Sequence, residues 1–146
     1  MSSVPPGQLG ASAIRALDTI VRKVAIDLMS SVIYRSPVGD ATHWQHPAPP
    51  GYVGGRFRGN WQMGVGSAPS GELDSIDPQG TATLAAARAS IPTTGAAGHV
   101  YYLVNNLPYA QRLDNNPGWS SQAPAGIVAL AIAEFDGIVM RARVGQ

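Results

Sequence analysis

A series of apolar residues near the N-terminus is the feature that most constrains the fold of this chain. The series recurs at steps of three and four and comprises Ile14, Leu17, Val21, Val24, Leu28 and Val32. This spacing places all of them on one face of an α-helix. Ser12 is a plausible N-cap, and Pro37 disfavours helical backbone at the preceding residue, so we predict a helix over residues 11–35. Such a helix is roughly 37 Å long, which is long for a small domain.

The length of 146 residues fits one domain. Residues 1–9 contain Pro5 and Pro6, and we predict that they form a flexible arm. Residues 10–146 are then expected to form the single domain. We predict no secretory signal, because the chain opens without a basic stretch followed by an apolar run. We also expect no membrane contact, because no run of 18 apolar residues occurs.

The remaining elements follow from local patterns. Residues 60–66 alternate apolar and polar side chains, and residues 99–104 are rich in β-branched and aromatic side chains, so both are predicted to be strands. Residues 81–91 are alanine-rich and predict a short helix. One helical turn is expected over residues 109–113 and a last helix over residues 120–143. Its inward side is expected to comprise Ile127, Leu130, Ala131, Phe135 and Ile138. The predicted fold class is α+β, with a small, mainly antiparallel sheet packed against a long N-terminal helix and a C-terminal helix.

A long loop is predicted over residues 36–60, where prolines and glycines are frequent. Loops of this length are uncommon in compact domains and are usually functional or disordered. Trp44, Tyr52 and Phe57 lie in this loop, and large aromatic side chains are seldom left in solvent. We therefore expect the loop to order against a neighbouring subunit.

Charged residues are scarce, at 13% of the chain, about half of the usual share. Interface cores are depleted in charge, so this composition favours a chain covered by its neighbours over a small protein with a neutral polar surface. The formal net charge of +1 gives no global reason to expect a nucleic-acid partner. The absence of cysteine excludes disulfides and thiolate catalysis.

Few residue combinations suggest chemistry. Asp40, His43 and His46 could bind a divalent metal, but the loop offers no helical spacing to orient the imidazoles. Exposed loop histidines are the simpler interpretation, and a small metal-dependent enzyme is the alternative. The chain lacks the Gly-x-Ser-x-Gly motif of serine hydrolases and the Gly-Lys-Ser/Thr ending of a P-loop. We therefore predict no enzymatic activity, no cofactor and no metal site.

Arg56 and Arg58 flank Phe57 and form a small basic patch. The patch could contact a phosphate or a base, and in a ring of copies it would repeat around a channel. Two arginines cannot supply the phosphate contacts of a real DNA-binding protein. Ion pairs with acidic residues of a neighbour are therefore the favoured interpretation, and a DNA- or partner-binding module is the alternative.

Two pairs of motifs occur in a recognisable order. The first pair is SPVGD at residues 36–40 and GRFRGNW at residues 55–61. The second pair is YLVNNLPYAQRL at residues 102–113 and GWSSQAPAG at residues 118–126. Both pairs resemble the tail-component family of long-tailed bacteriophages, of the tail completion or minor tail protein Z type. This chain departs from the family by an insertion within the first pair and by Asp114 in place of the usual glutamate.

The resemblance implies a structural virion protein that forms a ring, with a hexamer as the expected form. The ring would lie at the head-proximal end of the tail or in the neck, after assembly in the host cytoplasm. It would complete the tail or join it to the capsid. Its partners would be other copies and neighbouring connector, tail terminator or tail tube proteins, with incidental contact with DNA in the channel. A tail terminator or stopper in the same neck is an alternative.

Candidate interface residues are taken from the long loop and from the segment around Pro108. The predicted set comprises Trp44, Tyr52, Arg56, Phe57, Arg58, Trp61, Asn105, Asn106, Pro108, Tyr109 and Arg112.

Overall fold

The computed structural model describes residues 6–39, 47–51, 53–115, 122–123 and 125–144. The elements within these ranges are α1 (Pro6–Arg35), β1 (Trp61–Val65), α2 (Thr81–Ser90), β2 (Tyr101–Asn105), α3 (Ala110–Asn115), α4 (Val128–Ala133) and α5 (Phe135–Val144). Short 3-10 turns at Arg58–Asn60 and Ala96–Gly98 precede the two strands. A long N-terminal helix, a small antiparallel sheet and C-terminal helices confirm the predicted α+β class. No helix in the described ranges is long and apolar enough to cross a membrane.

Helix α1 starts earlier than its sequence pattern predicts. It begins at Pro6, so residues 6–9 of the predicted flexible arm are helical. Proline is favoured in a first turn because it lacks the N–H group that would find no acceptor within the helix there. Ser12 therefore lies inside the helix and is not its N-cap. The 30 residues of α1 give a length of about 45 Å.

The buried side of α1 is rotated from the predicted apolar face. Its fully or nearly fully buried residues are Asp18, Ala25, Met29, Val32 and Ile33. From the predicted series, only Val32 is in this set, whereas Ile14 and Leu17 are 58% and 53% exposed. The prediction was wrong at the N-terminal end, where these apolar side chains have no cover within the described chain.

Polar residues of α1 fix the segment that follows α2. The carboxylate of Asp18 accepts hydrogen bonds from the Gly95 and Ala97 amides, both at 2.9 Å. These two bonds hold the pKa of Asp18 below its ordinary value, against a smaller opposing effect of burial. The Arg22 guanidinium donates to the carbonyls of Ile91 and Pro92. The middle of α1 is therefore buried partly because of its polar partners, which an apolar pattern does not reveal.

The two strands form an antiparallel sheet in which Trp61 pairs with Asn105 and Met63 with Leu103. Trp61 and Met63 are buried on the core side, as the alternation predicts. Helix α2 packs against β1, and its first turn is capped by the buried Asp77. The Asp77 carboxylate accepts bonds from the Gly80 amide and from the amide and hydroxyl of Thr83.

The C-terminal part consists of two helices where the sequence predicts one. Helix α4 begins at Val128, and α5 follows after Glu134. The Asp114 carboxylate accepts hydrogen bonds from the amides of Ile127 and Val128 at 2.7 Å, which satisfies the start of α4. Gly126 has φ of +87°, and a Cβ there would lie 2.7 Å from the Asp114 carbonyl oxygen. This contact requires glycine, and the helix therefore starts only after it.

Of the predicted inward residues of the last helix, Ile127, Ala131 and Ile138 are buried and Leu130 is half-buried. Phe135 was wrongly assigned to the core, because it is 43% exposed. The helix is interrupted at Glu134. One helical periodicity therefore does not describe the buried sides of both α4 and α5.

Candidate assembly interface

Residues from the separate motifs meet in one place, which we call the motif junction and define as Ser36, Phe57, Arg58, Trp61 and Asn105. Ser36 is buried at the end of α1, where its hydroxyl donates to the Val32 carbonyl at 2.6 Å. The indole Nε1 of Trp61 donates to the same hydroxyl at 2.7 Å. Ser36 of the 36–40 motif and Trp61 of the 55–61 motif therefore join α1 to β1.

Arg58 caps the C-terminal end of α1. Its Nη2 donates to the Ser36 carbonyl at 2.7 Å and to the Tyr34 carbonyl at 3.4 Å. Its Nη1 donates to the Pro78 carbonyl at 2.7 Å. The last carbonyls of a helix have no donor partner within it, and a guanidinium is well suited to satisfy them. Arg58 is thus committed to its own chain.

The two asparagines of the 102–113 motif donate hydrogen bonds to backbone carbonyls of the same chain. Asn105 Nδ2 donates to the Phe57 carbonyl at 2.9 Å. Asn106 Nδ2 donates to the carbonyls of Pro69 and Gly71, both at 3.0 Å. Two side-chain amides therefore tie the end of β2 to segments on both sides of β1.

Aromatic and amide contacts extend the motif junction to the other motif segments. The Phe57 ring centroid lies 6.0 Å from those of Trp61, edge-on, and of Tyr109, tilted. Gln122 is bonded to the backbone of Val38 in both directions, accepting at 2.9 Å and donating at 2.8 Å. All four motif segments are therefore connected within one folded unit.

Several residues predicted to meet a neighbour are instead used inside the chain. Phe57 and Trp61 are only 5% and 6% exposed, which corrects their assignment to an intersubunit surface. Arg56 pairs with Glu72 at 3.2 Å and lies 3.9 Å from Asp74. The ion pairs expected between copies are thus formed within one chain by Arg56, and Arg58 is occupied by carbonyls.

Other predicted residues keep an exposed position. Pro108, Tyr109 and Arg112 are exposed, at the end of β2 and the start of α3. Trp44 and Tyr52 lie outside the described residues, as do Asp40, His43 and His46. Within the described ranges, no group of three or more metal-ligating side chains is placed to hold a metal ion.

Several apolar side chains on the helices are exposed, although some of them were predicted to lie in the core. We call them the exposed helical residues: Ile14 and Leu17 on α1, Ile132 on α4, and Phe135, Met140 and Val144 on α5. Val144 is 82% exposed and Ile132 is 67% exposed. The length of α1 could have indicated that Ile14 and Leu17 are exposed, because a helix of that length extends past the elements that pack against it.

An open groove of about 490 Å³ separates α1 from the C-terminal helices. Its lining comprises Asp27, Ser30, Ser31, Tyr34, Arg35, Glu134, Ile138 and Arg141. Arg35 pairs with Glu134, which also accepts from the Ser31 hydroxyl, and Asp27 pairs with Lys23 at 3.0 Å. The contacts of Glu134 with Arg35 and Ser31 join the C-terminal helices to α1, whereas the Lys23–Asp27 pair lies within α1.

No family model, curated protein or solved structure matches this chain. The resemblance to a family therefore rests on the motifs alone. The geometry separates two roles: the motif junction holds the fold, and the exposed helical residues are available to neighbours.

Proposed function

We propose that this protein is a non-enzymatic structural subunit of a long-tailed phage virion, located in the neck or at the head-proximal end of the tail. It would assemble as a ring, with a hexamer as the expected form, and complete the tail or join it to the capsid. Other copies and the adjoining connector, terminator or tube proteins are its proposed partners. It would be made and assembled in the host cytoplasm.

The observation that carries this proposal is the convergence of the motifs. Ser36, the 58–61 segment and Asn105 are far apart in sequence, and hydrogen bonds join them around Phe57. Residues that resemble a family signature and also cooperate in one buried junction argue for a shared fold more strongly than scattered matches do. Ser36, Trp61 and Asn105 each form a side-chain hydrogen bond in the junction, and Arg58 forms three, which is typical of a structural role.

The surface supports an assembly role in a second way. The exposed helical residues lie on α1 and on the C-terminal helices, and only 13% of the whole chain is charged. Apolar surface with few charges is favourable to bury against another protein. A ring is built from heterologous contacts, so each copy needs two different complementary surfaces. We propose that Ile14 and Leu17 of one copy contact the α4 and α5 residues of the next.

Imaging of virions tests the location. A compact tag on this chain, visualised by electron microscopy of purified particles, is expected to lie at the junction between capsid and tail. A control tag of the same size on a capsid protein establishes the labelling efficiency. A label on the capsid surface or at the distal tail tip, or purified particles that lack the chain, would rule out the proposed role.

A further inference from the structure

Strand β2 has an edge whose backbone groups find no partner in the described part of the chain. The Gly66 amide donates to the Val100 carbonyl at 2.8 Å, in register with the strand pairs. Hydrogen-bonded pairs alternate along an antiparallel ladder, so Tyr102 and Val104 bond to β1. The backbone groups of Tyr101, Leu103 and Asn105 must then point away from β1, and no described residue hydrogen-bonds to them.

This edge lacks the features that usually protect a free strand. Natural edge strands carry lysine, proline, inward charges or a bulge. Tyr101–Asn105 contains none of these residues, and the chain from Ala89 to Gln111 has no Asp, Glu, Lys or Arg. Two copies of the segment would therefore meet without charge repulsion. Flanking apolar side chains are also exposed, at 63% for Val100 and 37% for Tyr102.

We infer that β2 is a docking edge for β2 of a second copy of this chain, in an antiparallel pair about a twofold axis through Leu103. In this register Leu103 faces its own equivalent and Tyr101 faces Asn105 of the other copy. The three outward-facing pairs form about six backbone hydrogen bonds. The two small sheets become one four-stranded sheet, which is a more stable unit than a two-stranded ribbon.

Side-chain pairing favours the same register. On the outer face, Tyr102 of each copy lies opposite Val104 of the other, which makes two aromatic–β-branched pairs of the kind that stabilises sheets. The two Tyr102 side chains are diagonal neighbours across the twofold axis, within about 8 Å. The contact uses neither the helices proposed to build the ring nor any phage component, so it stands or falls separately from the proposed function.

Charge variants of Tyr102 test the pairing in the purified full chain. Tyr102→Lys and Tyr102→Glu each place like charges on the diagonal and are each expected to weaken dimerisation about tenfold. An equimolar mixture of the two variants should recover dimers, because opposite charges then meet. Sedimentation velocity across a concentration series measures all three. Ala85→Lys is the control, since it adds the same charge to an exposed residue on α2, outside both β2 and the proposed ring contact, and should leave the dissociation constant unchanged.

Amide hydrogen exchange locates the contact independently. The Leu103 amide should gain protection as protein concentration rises, whereas the Tyr102 amide, bonded to β1, should be protected at every concentration. A chain that is monomeric throughout, or a mixture of variants as weak as either variant alone, would overturn the proposal. Dimers that form without protection of Leu103, or that are weakened only by Ala85→Lys, would overturn it as well.

Discussion

The motif junction and the exposed helical residues are opposites in their physical chemistry. In the motif junction, buried or half-buried side chains form hydrogen bonds: the indole of Trp61 donates to the Ser36 hydroxyl, and Arg58 donates to three carbonyls. Among the exposed helical residues, apolar side chains face solvent with no partner in the described chain. The residues that identify a resemblance are thus the ones that hold the fold.

This difference shows where specificity for neighbours can reside. A buried, fully bonded group cannot be rearranged to meet a partner without loss of the bonds that it already makes. Exposed apolar groups gain free energy when a partner covers them. Substitutions in the motif junction should therefore change stability, and substitutions of the exposed helical residues should change assembly.

The largest effect is expected from Trp61→Ala, which removes a buried ring and the donor to Ser36. We expect the free energy of unfolding to fall by about 4 kcal/mol, measured by chemical denaturation. Trp61→Phe keeps most of the apolar packing and loses mainly the hydrogen bond, at a cost of about 1.5 kcal/mol. A loss below about 1 kcal/mol for Trp61→Ala would contradict a structural role for the junction.

Arg58→Met should remove about 2 kcal/mol of stability, because the carbonyls at the end of α1 lose a charged donor. Arg56→Met is the matched control two residues away. Arg56 forms an exposed ion pair with Glu72, so its replacement should cost at most about 0.5 kcal/mol. Equal losses in the two variants, measured by thermal and denaturant unfolding, would mean that Arg58 does not cap α1.

Asp77→Asn should cost about 1 kcal/mol at neutral pH. Burial acts to raise the pKa of Asp77, but bonds from Thr83 and Gly80 outweigh it and hold the pKa below the ordinary 3.8. The charged carboxylate therefore stabilises the fold above about pH 5, and this contribution is lost as pH falls through 4 toward the folded pKa.

Unfolding followed from pH 7 to pH 3 tests the assignment of Asp77. The difference between the native chain and Asp77→Asn should shrink on acidification, and a residual acid sensitivity should remain because the pKa of Asp18 is also lowered. Asp74→Asn is the control, because this carboxylate is fully exposed. A difference that stays constant with pH would show that the charge of Asp77 is not responsible.

The smallest effect on stability is expected from Leu17→Ser. The unfolding free energy should change by less than about 0.5 kcal/mol, because Leu17 is already exposed. Incorporation into virions should nevertheless fall, which quantitative blotting of purified particles can measure against Ala13→Ser, an exposed control on the same helix. Normal incorporation of Leu17→Ser would remove α1 from the proposed ring contact.

Some elements could be predicted because their signals are local. The strands β1 and β2 and the helix α2 follow from alternation and residue propensity, and α1 ends where Ser36 and Pro37 require it to end. The start of α4 at Val128 could not be predicted, because it depends on the contact between Gly126 and Asp114. That contact joins positions from different elements and leaves no periodic trace.

The burial of the candidate interface residues was also difficult to predict from the sequence. Large aromatic residues in a proline- and glycine-rich segment indicated a surface for a neighbour, yet Phe57 and Trp61 are buried in the core. The buried side of α1 could not be predicted either. It depends on Asp18 and Arg22, whose side chains hydrogen-bond to the backbone of residues 91–97.

The sequence by itself determined the long helix, the two strands and the α+β class, since each of these follows from spacing or composition within a short window. Only the tertiary structure decided which motif residues are buried and which apolar residues are left exposed. Burial depends on partners brought together from distant parts of the chain. The motif residues Trp61 and Asn105 therefore connect elements within the fold, and the surfaces that we propose for assembly lie on the helices and on the edge of β2.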